Sequence, residues 1–215
     1  MKHVLVCALI ITNLAADAAY AQQMWRTVAK IAVISAAGDS RLPSVDEAVG
    51  FWNRTLAEFG SGFRLGPITR MVRPIPEDDV RELSTSVLAG RGQIAEFPLS
   101  LRDLPGDITI VLAASEFVSF ASPFNQNSKK VIGIRGGTFP PMNLPNVPRN
   151  VIAHELGHTI GLRHNSDPTM LMCGRPSPCR PSLFRSDQPR MFPLRDDEKR
   201  FLLWMYPPQW KAQSR

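Results

Sequence analysis

One eleven-residue segment, HELGHTIGLRH, constrains this chain more than any other part of its sequence. It runs from His154 to His164 and contains three histidines, one glutamate and two glycines. His154 and His158 are four residues apart, which on an α-helix places both imidazoles on one face, about one turn apart. Two imidazoles in that arrangement can bind one zinc ion, so the segment predicts a metal-binding helix.

A third ligand has to come from beyond the end of that helix. His164 is ten residues after His154, too far along a straight helix to reach the same ion. Gly161 tolerates a positive φ, so the helix can end there and the chain can turn back to bring His164 to the metal. Three histidines leave a fourth coordination position open for water, as catalytic zinc sites require. Glu155, rotated by about 100° around the helix, can then act as a general base without ligating the ion.

The distribution of histidines strengthens this interpretation. The sequence has four, and His3 falls in a predicted leader, so every remaining histidine belongs to the segment. The simplest alternative is an ordinary helix that happens to contain histidines. A structural zinc site would need a fourth protein ligand. An inactive relative would keep the fold without the chemistry, although the glutamate is present here.

The first residues predict a secretory signal. A positive residue, Lys2, precedes an apolar run that is too short to span a bilayer, and Ala19-Tyr20-Ala21 fits the small-x-small cleavage pattern. We therefore predict a signal peptide at 1–21 and one domain at 22–215, secreted or periplasmic, with no stable membrane insertion after cleavage. A retained membrane anchor is the alternative.

Charge and cysteine content agree with export. Loss of the leader removes Lys2 and Asp17 together, so the net charge stays at +6. No basic stripe interleaved with aromatics and no nucleic-acid-binding motif is present, so we expect no nucleic-acid partner. The charge favours solubility, or attraction to anionic cell-surface polymers. Cys173 and Cys179 are the two cysteines outside the leader, and in an oxidising compartment we expect them to form a disulfide that constrains one loop.

The apolar pattern predicts strands and helices in one mixed fold. The predicted strands are 30–35, 63–72 with a break at Gly66-Pro67, 107–114 as the central strand, and 130–137. The predicted helices are one from the capping box of Ser44 and Glu47 to Gly60, the histidine helix, and one over 194–206. Residues 78–90 fit either a short helix or an irregular segment, and 165–193 form a long loop.

The motif H-E-x-x-H-x-x-G-x-x-H, followed by "HNSDPTMLMCG" from His164, resembles that of the metzincins, and within them the matrixin-like branch. "DITIVLA" and "LRDDEKRFLLWMY" are similar to a central strand and to the closing helix of that branch. The resemblance implies an α+β zincin fold: a twisted mixed sheet, an active-site helix, a Met-turn and a C-terminal helix. It places the turn methionine at Met172, with Met170 as the competitor.

The resemblance also implies an activity. The chain would be a secreted zinc endopeptidase with one catalytic Zn²⁺ held by His154, His158 and His164. It would hydrolyse peptide bonds through zinc-activated water, with Glu155 as the general base. The alternatives are a zinc hydrolase of cell-wall peptide crosslinks and a non-catalytic secreted zinc-binding or adhesion protein.

The implied substrate is a polypeptide in extended form, bound by a monomer along an edge strand, for which 130–137 or its neighbour is the candidate. The segment after the turn, including the Cys173–Cys179 loop, would form a wall of the pocket beyond the scissile bond. Cys173-Gly174 stands where the branch usually has an aromatic residue and proline. No tyrosine follows two residues after Met172, so we expect no fifth ligand, and no cysteine before Cys173 could act as a propeptide switch.

Overall fold

The computed structural model describes residues 25–89, 97–125, 128–174 and 188–214. The predicted leader and Cys179 lie outside these ranges, so export and the disulfide stay predictions. Within the described ranges, no helix is both long and apolar enough to cross a membrane.

The described residues form a five-stranded mixed sheet with helices on both faces. The strand order is β2-β1-β3-β5-β4, in which only β4 runs antiparallel to its neighbour. This confirms the predicted mixed sheet with 107–114 at its centre. The strands are β1 Ile31–Ser35, β2 Ile68–Val72, β3 Ile108–Leu112, β4 Phe120–Ala121 and β5 Lys130–Ile134. The helices are α1 Leu42–Glu58, α2 Glu77–Leu88, α3 Leu99–Arg102, α4 Asn146–Thr159 and α5 Asp196–Met205.

The centre of the sheet is apolar because it is covered on both sides. Every residue of β1, β3 and β5 is buried, as expected for parallel strands between layers of helices. One face packs with α1, α4 and α5 through residues such as Trp52, Ile152 and Leu202. The other face packs with α2 and α3 through Val80 and Leu101. The histidine helix therefore rests on the larger core.

Helix α1 begins earlier than predicted. The Ser44 capping box was the wrong start, because the helix begins at Leu42 with Arg41 at its N-cap position. Pro43 fits the first turn, where its missing N–H costs no helical hydrogen bond. Asp39 accepts the backbone N–H of Arg41 at 2.9 Å and so fixes the entry of the chain. The predicted apolar stripe is buried: Val45, Ala48, Val49, Trp52 and Leu56.

Two other elements differ from the sequence prediction, and one open alternative is decided. The strand predicted at 63–72 forms only at Ile68–Val72, because Pro67 has no N–H to donate and Gly66 lies against the backbone of Ala29. Residues 77–88 form α2, so the helical alternative for that segment is correct. The strand at 130–137 forms as β5 but is interior, and the sheet edge is its neighbour β4.

Candidate metal centre

Helix α4 is a rigid platform because almost all of it is buried. The indole Nε1 of Trp52, on α1, donates to the carbonyl of Ala153 at 2.8 Å. Asn150, also on α4, donates to the carbonyl of Arg190 at 2.7 Å and accepts the N–H of Phe192 at 2.9 Å. The chain after the long loop is thus bonded directly to the helix, which fixes the position of the histidines.

The three histidines of the segment converge on one point. The Nε2 atoms of His154 and His158 are 3.1 Å apart, those of His158 and His164 are 3.0 Å apart, and those of His154 and His164 are 3.2 Å apart. Two nitrogens bound at ~2.0–2.1 Å to a tetrahedral zinc ion lie about 3.3 Å from each other. The nearly equilateral triangle therefore has the size that a zinc site of three imidazoles requires, and the trio forms a candidate metal site.

Backbone carbonyls hold two of the rings in the ligating tautomer. Nδ1 of His154 lies 2.7 Å from the carbonyl oxygen of Leu171, and Nδ1 of His158 lies 2.8 Å from that of Leu162. A carbonyl oxygen only accepts, so each Nδ1 carries the proton and each Nε2 presents its lone pair. Lone pairs directed at each other across about 3 Å repel unless a cation lies between them.

The turn at Gly161 brings His164 back to the helix. Helix α4 ends at Thr159, and Gly161 has a φ of +110°. Its N–H donates to the carbonyl of His158 at 3.2 Å, and the N–H of Leu162 donates to that of Gly157 at 3.0 Å. These two bonds form a Schellman motif, in which glycine is the favoured residue. A Cβ at Gly161 would also lie 2.8 Å from the side chain of Met205 on α5.

The ring of His164 lies against the backbone of Gly174. A Cβ at Gly174 would overlap the imidazole, so only glycine fits beside the ring as it stands. Two backbone hydrogen bonds of Asn165 close this loop. Its N–H donates to the carbonyl of Met172 at 2.8 Å, and its carbonyl accepts the N–H of Gly174 at 3.1 Å. Its side-chain amide donates to Glu198 on α5 at 2.7 Å, so the loop is also attached to the closing helix.

Of the two turn methionines, Met172 is the one beneath the histidines. It is fully buried, whereas Met170 is half-buried. A Cβ on Gly157, between His154 and His158 on α4, would lie 2.6 Å from the sulfur of Met172 and 2.9 Å from Trp52. The absence of a side chain at Gly157 therefore leaves the space into which Met172 packs.

The histidines line one side of a groove of about 690 Å³ between α4 and the 118–124 segment. Glu155 lines the same groove and is 6% exposed. Burial is the largest of the effects that together lower the pKa of His158 to about 4; the hydrogen bond to the Leu162 carbonyl opposes it, and the charges of His164 and Lys130 act in the same direction as burial. The ring is therefore neutral at physiological pH and available to a metal.

The structure brings together most of the residues that the sequence singled out. The three histidines, Glu155 and Gly161 line one groove, and Met172 supports it from below. Cys173 is buried next to the turn, and its predicted partner Cys179 lies outside the described residues. Sequence reasoning missed Gly157, Gly174 and Lys130. The signal for Lys130 was a lysine at the start of an otherwise apolar strand.

Comparison with protein-family models found no match, and neither did comparison with curated proteins. Among solved structures, the chain is similar to archaemetzincin from Methanopyrus kandleri, with a TM-score of 0.44 and 16% sequence identity. That alignment covers 85% of this chain and 96% of the other.

Proposed function

We propose that this protein is a zinc-dependent endopeptidase of the metzincin type. The observation that carries the proposal is the Nε2 triangle of His154, His158 and His164, with edges of 3.0–3.2 Å. The glutamate at the second position of the motif and the buried turn methionine add to it. The predicted leader supports a secreted or periplasmic location.

The donor set fits zinc. Three imidazoles, two of them oriented by carbonyl oxygens, form the kind of three-ligand set found in catalytic zinc sites. The chemistry that zinc supplies in such a site is Lewis-acid polarisation of a carbonyl oxygen and a lowered pKa of water. Helix α4 positions the rings of His154 and His158, and the loop after it supplies His164 as the third ligand.

Glu155 is the residue that moves protons in this proposal. It neighbours His154 on α4 and lines the groove beside all three rings. Its carboxylate accepts a proton from the attacking water and then delivers it to the nitrogen of the leaving amine. Water is thereby added across the C–N bond, which gives a carboxylic acid and an amine.

The sheet edge supplies a place for an extended substrate. β4 pairs with β5 on one side, and the 118–124 segment lines the groove opposite the histidines. A substrate strand laid along this segment would make main-chain hydrogen bonds while its scissile bond faces α4. Val118 and Leu88, both more than a third exposed, give the groove an apolar end suited to substrate side chains.

The test is hydrolysis of a quenched-fluorescent peptide library by purified, zinc-loaded protein. We expect cleavage that a chelator abolishes and added zinc restores. Glu155→Gln should retain zinc and lose turnover by roughly 10²–10⁴-fold, because only the proton transfer is removed. Glu58→Gln, the same change at an exposed position of α1, is the matched control and should cleave like the wild type.

The other outcomes separate the alternatives. Release of crosslink peptides from cell walls, with no cleavage of unfolded protein, would replace this proposal with the wall-hydrolase alternative. Full zinc occupancy with no cleavage of any peptide or wall substrate would leave a zinc-binding protein without this activity. Undiminished turnover in Glu155→Gln would refute the general-base assignment.

A further inference from the structure

Lys130 lies at an unusual place for a lysine. It is the first residue of β5, and its side chain lies on the same face as those of Ile132 and Ile134, which belong to the core beneath α4. The residue is 5% exposed, and its Nζ atom lies 4.3 Å from the centroid of the Phe124 ring. The ammonium group is therefore buried on the histidine side of the sheet.

Within the described ranges, Lys130 has no acidic partner. The ion pairs found there use other residues, and the ring of Phe124 is the contact that stabilises its charge. Burial lowers the pKa of Lys130 to about 8, which leaves most of it protonated at neutral pH. A buried ammonium without a counter-ion is costly, and a cation–π contact offsets only part of that cost.

The side chain lines the groove that contains the histidines. Lys130 shares it with Glu155, with His158, and with the 118–124 segment along which the substrate is proposed to lie. A group that binds in the groove would therefore lie next to Lys130 and to the histidines at the same time. An anion bound there would supply the missing counter-charge in a site of low dielectric constant, where the pairing is strong.

We propose that Lys130 selects substrates that carry a carboxylate beside the scissile bond. This rests on the proposed peptidase function and names its substrate class as acidic peptides. A carboxylate is the anion that an unmodified polypeptide offers. It can come from an Asp or Glu side chain or from a free C-terminus, and both would accept hydrogen bonds from the same ammonium group.

Binding rather than turnover is the first test. Zinc-loaded Glu155→Gln protein is titrated with a series of N-acetyl, C-amidated octapeptides made of alanine and glycine. Each peptide carries one glutamate, at a different position in each member of the series. Matched peptides carry glutamine instead, and a third set ends in a free carboxylate. We expect tighter binding of one glutamate position, or of the free acids, by roughly tenfold to a hundredfold over the neutral match. The two acidic sets distinguish a side-chain from a terminal carboxylate.

The same titrations in lysine variants assign the effect. Lys130→Met should abolish the preference for acids, and its zinc-free form should melt higher than the parent because an unpaired buried charge is removed. Lys130→Arg keeps the charge and should keep a preference, which covers the case in which the methionine variant does not fold. Lys211→Met removes an exposed lysine far along the chain and should bind like the parent.

The failures of the two proposals are distinguishable. If acidic peptides bind in a Lys130-dependent way but wild-type protein hydrolyses none of them, the peptidase proposal fails and the carboxylate site stands. If wild-type protein hydrolyses peptides without preference for acids, or if Lys130→Met keeps the preference, the Lys130 proposal is overturned alone. Absence of peptide binding at millimolar concentration overturns it as well.

Discussion

Two kinds of structure meet at the histidine triangle. His154 and His158 lie on a buried helix, and carbonyl oxygens at 2.7 and 2.8 Å fix their rings. His164 is exposed and stands on a loop, where the backbone of Gly174 lies against its ring. The helical pair is positioned by the core of the protein. The third ligand is positioned by local backbone shape, so it is the member that loop substitutions should disturb selectively.

The largest expected effect is loss of a ligand. His154→Ala and His164→Ala should each weaken zinc binding by roughly a thousandfold, since each removes one of three ligands from a site whose binding free energy is shared among them. Competition with a chromophoric chelator measures the affinity.

The two variants should differ in stability without metal. His154→Ala leaves the carbonyl of Leu171 without its donor and should lower the unfolding free energy by about 1–3 kcal/mol. His164→Ala should change it by less than about 0.5 kcal/mol. Equal destabilisation would contradict the contrast.

Next comes the backbone support of the loop histidine. Gly174→Ala puts a Cβ where the imidazole of His164 lies, so the ring must move away from the other two. We expect zinc affinity to fall by roughly tenfold to a hundredfold, as for other losses of ligand support, with little change in the melting temperature of the zinc-free protein. Gly137→Ala, whose new Cβ would lie 3.4 Å from the Arg41 side chain, an ordinary contact distance, is the control. Unchanged zinc affinity in Gly174→Ala would show that the loop adjusts freely.

The helical pair should also be visible in the pH dependence of stability. Burial lowers the pKa of folded His158 to about 4, against an ordinary value of 6.5, so between these values the unfolded chain binds more protons. The free energy of unfolding of the zinc-free protein should therefore decrease as the pH is lowered. His158 should account for a decrease of about 2 kcal/mol between pH 7 and pH 5. Urea unfolding at both pH values, compared with His158→Gln, isolates the contribution. A variant that loses as much stability as the wild type over this range would argue against it.

The smallest effect concerns the packing beneath the pair. Gly157→Ala gains about 1 kcal/mol of helix propensity but places a Cβ 2.6 Å from the sulfur of Met172, and overpacking of this kind costs roughly 1–3 kcal/mol. We expect a net loss of about 1 kcal/mol in urea unfolding. Gly50→Ala, on α1, meets only the end of the Arg54 side chain and should instead stabilise the protein by up to about 1 kcal/mol. Stabilisation by both substitutions would mean that Met172 has room to move.

The local pattern of the sequence predicted the helical half of the site better than the loop half. Four-residue spacing fixes the relation of His154 to His158 on any α-helix, and a glycine at 161 predicts where the helix can end. The place of Gly174 beside His164 depends on how an irregular loop closes, which no periodic pattern encodes. The same holds for β4, whose two residues are too few for an alternation to be recognised.

Tertiary context also decided two elements that sequence reasoning misplaced. Ser44 and Glu47 form a capping-box pattern, but the preceding proline and the Asp39 carboxylate start α1 earlier. Residues 130–137 read as a possible edge strand, yet β5 is covered by β4, where the Phe120 ring fills the space left by Gly133. The burial of Lys130 also depends on tertiary context, since the Phe124 ring lies 4.3 Å from its Nζ, and it could not be read from the strand alone.

The most direct measurement is anomalous diffraction at the zinc absorption edge from crystals of the zinc-loaded protein. We predict a single strong peak at the histidine triangle, with the Nε2 atoms of His154, His158 and His164 each ~2.0–2.1 Å away. Fully folded protein that takes up no zinc, or a peak that the ring of His164 does not reach, would contradict it.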